Sequence, residues 1–192
     1  TVAGGGPSDN WGDGIPATES SLGGATALAF DALGNLYIAV PFPGLIRRVD
    51  AGTGLITTVA GGGCGCTATR YEDGIPASGA DLACPEGVAV DARGNLYIAE
   101  NGLQRIRRVD KQTGLITTVA GDGVEGFAGD GGPASGARLY GPGGIALGRD
   151  GSLYFADATN GRVRRIEGEA TSAVVGDGVP GRPRALVLRQ NV

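Results

Sequence analysis

Short apolar segments, each followed by turn-forming residues, alternate along this 192-residue chain. In the middle of the chain the segments GVAVD, NLYIAE, RIRRVD and LITTVAG follow one another, and β-branched residues are frequent in them. They are joined by DARGN and DKQTG, in which an aspartate can accept hydrogen bonds within the turn and a glycine can adopt positive φ. The pattern predicts four antiparallel strands in a meander.

This four-strand pattern occurs three times. The segment TVAGGG at Thr1 recurs at Thr58 and, as TVAGDG, at Thr118. Self-similarity at a regular spacing is typical of repeat architectures. Strands such as LYIA are apolar on both faces, which predicts that neighbouring sheets cover both sides, as in a β-propeller. We therefore expect an all-β fold with one propeller segment over residues 1–192 and blades at about 23–60, 84–121 and 141–176.

The recurring residues resemble the NHL-repeat family, as found in bacterial surface and teneurin-like proteins. The shared pattern is GxGDGGPAsgAxLxxPxGVAVDxxGNLYIAexxxxRIRRVDxxTGLITTVAG, and the resemblance covers about residues 1–178. It implies a closed ring, most often of six blades, that binds proteins or other ligands through loops on one face. Three four-stranded blades would then form half of such a ring.

Three blades leave a ring open, because propellers close with about 4–8 blades. Residues 1–4 match the last strand of a unit, yet the third unit already has its own last strand. This N-terminal strand and the C-terminal tail, 177–192, are therefore expected to be available for pairing outside the three blades. Open sheet edges favour a protein partner or self-association. The ring could be completed by two half-rings, by a longer chain or by a different protein.

Composition argues against several classes of function. The chain has no histidine, so the commonest general base and metal ligand is missing. Its formal net charge is −4 without a basic stripe, which argues against nucleic acid. No apolar stretch approaches the about 20 residues of a membrane-spanning helix. We predict a non-catalytic, extracellular or cell-surface binding or assembly module without a cofactor.

Two alternatives remain open at this stage. The first is a metal-assisted enzyme of the propeller lyase or lactonase kind, which would depend on carboxylates such as Glu100 and Asp157 with a divalent ion. The second is a purely structural fragment of a larger propeller protein. The acidic connector residues Asp122, Glu125 and Asp130 also suggest calcium, although that ion takes about 6–8 oxygen ligands and the EF-hand spacing is missing.

The repeats differ most in the loop between the second and third strands, which reads VPFPG, ENGLQ and DATNG in turn. Meander geometry puts this loop at the same end as the long connectors between units, which carry aromatic residues. Aromatic anchors dominate contact energy at interfaces, so this end is the predicted partner-binding face, unless the aromatics only pack their own loops. The candidate residues are Trp11, Phe42, Tyr71, Asn101, Gln104, Phe127, Asp157 and Asn160.

The cysteines cluster around one connector. The second connector is longer than its counterparts and carries Cys64 and Cys66, whereas Cys84 stands where the other units have Gly24 and Gly141. We predict a disulfide from Cys84 to Cys64 or Cys66, as suits an oxidising compartment. The alternatives are reduced, inert thiols and a three-thiolate metal site, which lacks a fourth ligand.

Two further patterns receive structural interpretations. The stretch 121–126 satisfies GxGxxG, but turn residues rather than a helix follow it, so it is predicted to be a connector and not a dinucleotide site. An arginine pair recurs in the third strand of every unit and is followed closely by an acid, which predicts a solvated strand with local ion pairs. These pairs are Arg47–Arg48, Arg107–Arg108 and Arg164–Arg165.

Overall fold

The computed structural model describes residues 1–8, 10–62, 65–67, 71–168 and 170–175, the last range by its backbone alone. The described residues form three antiparallel sheets that correspond to the three sequence repeats. We name these sheets blades 1, 2 and 3.

Blade 1 contains β1 (Ile15–Pro16), β2 (Ala27–Phe30), β3 (Leu36–Val40), β4 (Leu45–Val49) and β5 (Leu55–Ala60). Blade 2 contains β6 (Ile75–Pro76), β7 (Pro85–Val90), β8 (Leu96–Glu100), β9 (Arg105–Val109) and β10 (Leu115–Ala120). Blade 3 contains β11 (Pro142–Leu147), β12 (Leu153–Asp157), β13 (Arg162–Glu167) and β14 (Ala170–Val175). Single 3-10 turns lie at Ala17–Glu19, Gly65–Thr67, Ala77–Gly79 and Ala134–Gly136.

The predicted four-stranded meander is confirmed in every blade. Its strand order is β2-β3-β4-β5, β7-β8-β9-β10 and β11-β12-β13-β14, with each neighbour antiparallel. In blades 1 and 2 a two-residue strand of the connector adds a fifth strand beside the last one, with Ile15 opposite Ile56 and Ile75 opposite Ile116. The sequence did not predict these additions, because two residues carry no periodicity.

The turns within the blades are stabilised as the sequence predicts. Asp31 accepts hydrogen bonds from the backbone N–H groups of Leu33 and Asn35, and Asp91 repeats this arrangement in blade 2. Asp50 accepts from the N–H groups of the turn that follows it. Side-chain acceptors of this kind hold an Asx-type turn and so fix the register of the strands on either side.

The first strands of the three blades pack side by side, with β7 between β2 and β11. The blades approach closely there, because a Cβ added to Gly87 would collide with the carbonyl oxygen of Gly143. One buried cluster joins blade 1 to blade 2 and includes Ala39 and Ile98, and a second cluster joins blade 2 to blade 3. Each blade thus shields its neighbour, which is the packing predicted for propeller blades.

Residues 1–4 differ from the prediction, since they lie outside any strand. Gly4 donates its N–H to the carbonyl of Ala17, as Gly61 does to Ala77 in the next repeat. The segment therefore leads into blade 1 as β5 leads into blade 2. β5 pairs with β4, the third strand of its own meander, whereas no strand among the described residues pairs with residues 1–4. The C-terminal tail 177–192 lies outside the described residues.

Candidate binding surfaces

The structure brings the loops between second and third strands together with the long connectors, as predicted. Phe42, in the loop of blade 1, lies against the second connector, where a Cβ on Gly65 would be 3.4 Å from the ring. Gln104, in the loop of blade 2, accepts a hydrogen bond of 2.7 Å from the N–H of Gly141. These contacts define one end of the molecule, which we call the connector end.

Three of the candidate aromatics are exposed at the connector end. Phe42 is 64% exposed, Tyr71 42% and Phe127 43%. Tyr71 stacks on the Arg105 guanidinium, 3.4 Å from the ring centroid, and Phe127 stacks on that of Arg162 at 3.9 Å. Such cation–π contacts hold the rings in place while one face stays available.

Trp11 belongs to the core rather than to the exposed surface. It is half-buried and packs with Ile15 and Leu22 against a buried cluster that includes residues of β3, β4 and β5. Leu45 occupies the blade 1 position that holds Arg105 in blade 2, so the arginine stacking of the other two blades is replaced by apolar packing. Trp11 is accordingly the weakest of the aromatic candidates for direct contact with a partner.

The polar candidates are engaged inside the protein. Gln104 is only 6% exposed and adopts a positive φ of 53°. Asn160 donates to the carbonyl oxygen of Gly126 and to Asp157, at 2.8 and 2.9 Å. Asn101, half-buried, donates its backbone N–H to the carbonyl of Cys84. The side chains of Gln104 and Asn160 thus shape the loops, and the exposed aromatics are what the connector end presents to solvent.

The prediction for the arginine pairs was wrong for the first member of each pair. The side chains of Arg47, Arg107 and Arg164 are fully buried. Arg47 donates to the carbonyl oxygens of Trp11 and Gly12, both at 2.8 Å, and pairs with Asp13 at 3.1 Å. The connector folds over the third strand and buries the guanidinium, which a strand pattern by itself does not reveal.

The second member of each pair behaves as predicted. Arg48 pairs with Asp50 and Arg108 with Asp110, both at 2.8 Å, and their side chains are about one third exposed. Arg165 pairs with Asp150 and Glu167. Surface pairs of this kind contribute little to stability.

Two buried carboxylates face the buried arginines of blades 2 and 3. Glu100 accepts from the N–H of Ala83 at 2.8 Å and from Arg107 at 3.3 Å, and it has no exposed surface. Burial raises the pKa of the Glu100 carboxyl against the opposing effects of these two donors. Burial likewise raises the pKa of Asp157, which accepts from the N–H of Tyr140 at 2.7 Å.

Two of the three acidic connector residues named above, Asp122 and Asp130, are also engaged. Asp130 pairs with Arg164 at 2.8 Å and Asp122 with Arg138 at 3.5 Å. Within the residues that the structure describes, no group of three or more acidic, cysteine or histidine side chains is arranged to hold a metal ion. The calcium interpretation thus gains no support from the connector geometry.

A disulfide joins Cys66 to Cys84, which is one of the two pairings predicted. The bond ties the enlarged second connector to the start of blade 2. Cys84 has a positive φ of 49°, and Gly141, its counterpart in blade 3, has φ of 67°. Cys64, the other predicted partner, lies outside the described residues.

The first strand of the blade 1 meander, β2, and the turn after it present an apolar surface that sequence reasoning missed. Leu28 is 62% exposed and Phe30 66%, whereas Val88 and Ile145, the counterparts of Leu28, are 3% and 8% exposed. Blade 1 covers Val88 and blade 2 covers Ile145. We call Leu28, Phe30 and the 82% exposed Leu33 the blade 1 face. The repeat alignment carried the signal, because within the part of the chain that the structure describes only blade 2 packs against blade 1.

Among the described residues, no helix has the length and apolar character that a membrane crossing requires.

Comparison with known proteins shows similarity to parts of much larger chains. No family model matches this chain. It is 32% identical over 139 residues to the Arabidopsis thaliana protein SUPPRESSOR OF QUENCHING 1, chloroplastic, covering 70% of this chain and 13% of that protein. Human Teneurin-4 is 37% identical over 99 residues, and mouse Teneurin-1 is 33% identical over 97. These matches cover 45% and 44% of this chain, and 4% of each teneurin.

Solved structures share the fold. A Bacteroides thetaiotaomicron structural genomics protein of unknown function has a TM-score of 0.62 at 24% identity, over 76% of this chain and 34% of that one. A chain of a nidogen/laminin complex has a TM-score of 0.60 at 20% identity, over 84% and 51%. An auxiliary nutrient binding protein from B. thetaiotaomicron has a TM-score of 0.58 at 25% identity, over 73% and 36%. The chain is a β-propeller protein, built from antiparallel blades.

Proposed function

We propose that this chain is a non-catalytic binding or assembly module of the NHL-repeat type that works outside the cell. The single observation that carries the proposal is the blade 1 face. Leu28 stands at a position that a neighbouring blade buries elsewhere in the same molecule, and Phe30 stands at one that is partly buried there. Exposed apolar patches of this kind mark interaction sites.

The repeat geometry indicates what covers the blade 1 face. Between blades 1 and 2, Tyr37 and Ala39 of one blade pack in the same cluster as Val88 of the next. The surface complementary to Leu28 and Phe30 is therefore the side of another propeller blade. In solution a second copy of the chain offers blades of this kind, so we expect two copies to associate through this face.

The connector end supports a second contact with a protein partner. Its exposed rings at residues 42, 71 and 127 lie on a framework that internal hydrogen bonds and arginine stacking hold in place. Preorganised aromatic side chains supply much of the contact energy at interfaces. The auxiliary nutrient binding protein noted above is, by its name, also a binding protein.

An extracellular location is supported by the disulfide between residues 66 and 84, since such bonds persist in oxidising compartments. The partial similarity to teneurins is consistent with the NHL-repeat assignment.

The alternative of a metal-assisted enzyme receives less support. Glu100 and Asp157, its proposed ligands, are fully buried and already accept hydrogen bonds from backbone N–H groups and from buried arginines.

Size-exclusion chromatography with light scattering tests the proposal. We expect the chain to exceed its monomer mass of 19.1 kDa at high concentration. The double variant Leu28→Asp/Phe30→Asp should remain monomeric and folded, because both side chains are exposed in the monomer. Val124→Asp, at a 49% exposed residue of the third connector, is the matched control and should associate like the unmodified chain. A chain that stays monomeric at every concentration, or a double variant that associates normally, would contradict the proposal.

A further inference from the structure

A cleft of about 650 Å³ lies between blades 2 and 3, at the end of the blades opposite the connectors. Its walls come from the turn between β7 and β8, from the end of β11 and from the turn that follows β11. The volume falls within the range of about 300–1,000 Å³ that is typical of sites for small molecules. Nothing in the proposed assembly function uses this cleft.

Three arginines line the cleft, namely Arg93, Arg108 and Arg149, together with Tyr97 and the apolar side chains of Val90 and Leu147. Lys111, the only lysine of the chain, lies beside the same turn, where a Cβ on Gly94 would be 3.3 Å from its Cγ. The cleft therefore combines cationic groups with an apolar floor.

The carboxylates near the cleft already have partners, and Asp110 pairs with Arg108, one of the arginines that line the cleft. Asp91 accepts from the N–H groups of Arg93 and Asn95 and from the Asn95 side chain, at 2.9, 2.8 and 2.7 Å, and from the Tyr97 hydroxyl at 3.5 Å. Asp110 pairs with Arg108 at 2.8 Å, and Asp150 pairs with Arg165 at 3.2 Å. Each carboxylate thus stabilises its own turn or strand.

The junction between blades 1 and 2 provides an internal comparison. By the repeat alignment, Leu33 replaces Arg93 there, Ala92 replaces Arg149 and Ala51 replaces Lys111, while Arg48 corresponds to Arg108. Two of the three lining arginines, Arg93 and Arg149, and the neighbouring Lys111 are therefore particular to the junction between blades 2 and 3. In addition, Gly148 lines the cleft where the repeats of blades 1 and 2 have an aspartate.

We propose that this cleft binds a small anionic molecule, a carboxylate or a phosphate ester, whose apolar part packs on Val90, Leu147 and Tyr97. Guanidinium groups match carboxylate and phosphate oxygens in pairs of hydrogen bonds, and Arg93 and Arg149 line the cleft from blades 2 and 3 respectively. The site is independent of assembly through the blade 1 face, so either proposal can fail without the other.

The test is a titration of the ¹⁵N-labelled chain, followed by amide chemical shifts, with phenyl phosphate, benzoate and neutral benzyl alcohol as probes. We expect both anions to shift amides within 91–97 and 147–151, with benzyl alcohol at least tenfold weaker. The stronger anion identifies the phosphate or the carboxylate class. The double variant Arg93→Leu/Arg149→Ala, which installs the residues of the other junction, should weaken anion binding at least tenfold.

Arg138→Ala is the matched control, because this arginine is half-exposed and pairs with Asp122, away from the cleft. It should leave anion binding unchanged. Three results would overturn the proposal: no shifts with either anion at tens of millimolar, equal binding of benzyl alcohol, or unchanged anion binding in a folded Arg93→Leu/Arg149→Ala variant.

Discussion

Blades 1 and 2 share one backbone pattern and differ in what surrounds it. Blade 2 has a blade on each side, an ion pair between two fully buried groups at its core and a disulfide at its start. Blade 1 has one neighbour among the described residues, Val40 in place of the buried carboxylate, and the three exposed apolar side chains of the blade 1 face. The repeat therefore specifies the strands, while its neighbours decide which side chains are core and which are surface.

The largest expected effect is a difference in stability cost between the buried arginines of blades 1 and 2. Arg107→Met leaves the Glu100 carboxylate buried without its cation, which should lower the free energy of unfolding by about 3–5 kcal/mol. Arg47→Met leaves only carbonyl groups and a half-exposed Asp13, so its cost should be about 1–3 kcal/mol. Denaturant unfolding of the two variants measures the difference.

A compensating variant checks the cause of that difference. Arg107→Met/Glu100→Val gives blade 2 the apolar residue that blade 1 has at position 40. It should recover part of the stability lost by Arg107→Met alone, because no buried charge is left without a partner. A double variant less stable than the single one would contradict this account.

The second prediction compares Leu28 on β2 with Ile145 on β11, which occupy equivalent positions in the first strands of blades 1 and 3. Ile145→Ala opens a cavity between blades 2 and 3 and should cost about 3 kcal/mol of unfolding free energy. Leu28→Ala removes a side chain that is mostly in solvent in the monomer, so it should change monomer stability by less than about 0.5 kcal/mol. Thermal and denaturant unfolding at low protein concentration measure both values, and equal costs would show that Leu28 is already covered within the monomer.

The third prediction concerns the disulfide that only blade 2 has. The bond closes a sequence separation of 18 residues, so its loss should lower the unfolding free energy by about 2–3 kcal/mol. Cys66→Ser/Cys84→Gly makes this change and restores the glycine of the other repeats at position 84. The unmodified chain in reductant should show the same denaturation midpoint as the variant. A midpoint that does not respond to reductant is the opposing result.

The smallest effect is a pH dependence that blade 2 has and blade 1 lacks. Because burial raises the pKa of Glu100 above 4.5 in the folded state, the protonated carboxyl is favoured by folding. This contribution is fully present below pH 4.5 and is lost as the pH rises through the raised pKa. Relative to Glu100→Gln, the unmodified chain should gain stability on acidification, by at most about 1.4 kcal/mol per pH unit. Unfolding curves between pH 4 and pH 7 check the sign.

The strands and turns could be predicted because their causes are local. In LITTVAG and NLYIAE the apolar and β-branched residues define strands, and Asp31, Asp50 and Asp91 mark turns that their side chains hold. The shared end of the loops and connectors followed from meander topology. The two-residue strands β1 and β6 could not be predicted, since they form only because the connector lies along the last strand.

Contacts between distant segments explain the remaining differences. The burial of Arg47 comes from a connector that lies 35 and 36 positions away in sequence, so a local arginine–acid pattern suggested a solvated pair instead. Gln104 was predicted to face a partner, but its acceptor is used by Gly141, 37 positions away. The exposure of Leu28 depends on whether another blade packs against β2. The repeat pattern cannot show this, because it places Leu28 and the buried Val88 at the same position of the repeat.

Hydrogen–deuterium exchange across a series of protein concentrations tests the central claim most directly, because it locates the surface that becomes covered. The account predicts that exchange in β2 and in the turn at residues 31–35 slows as concentration rises, whereas exchange in the turn at 91–95 does not change. In Leu28→Asp/Phe30→Asp the slowing should disappear. Association that protects other segments and leaves β2 unchanged would contradict the claim that the blade 1 face receives another blade.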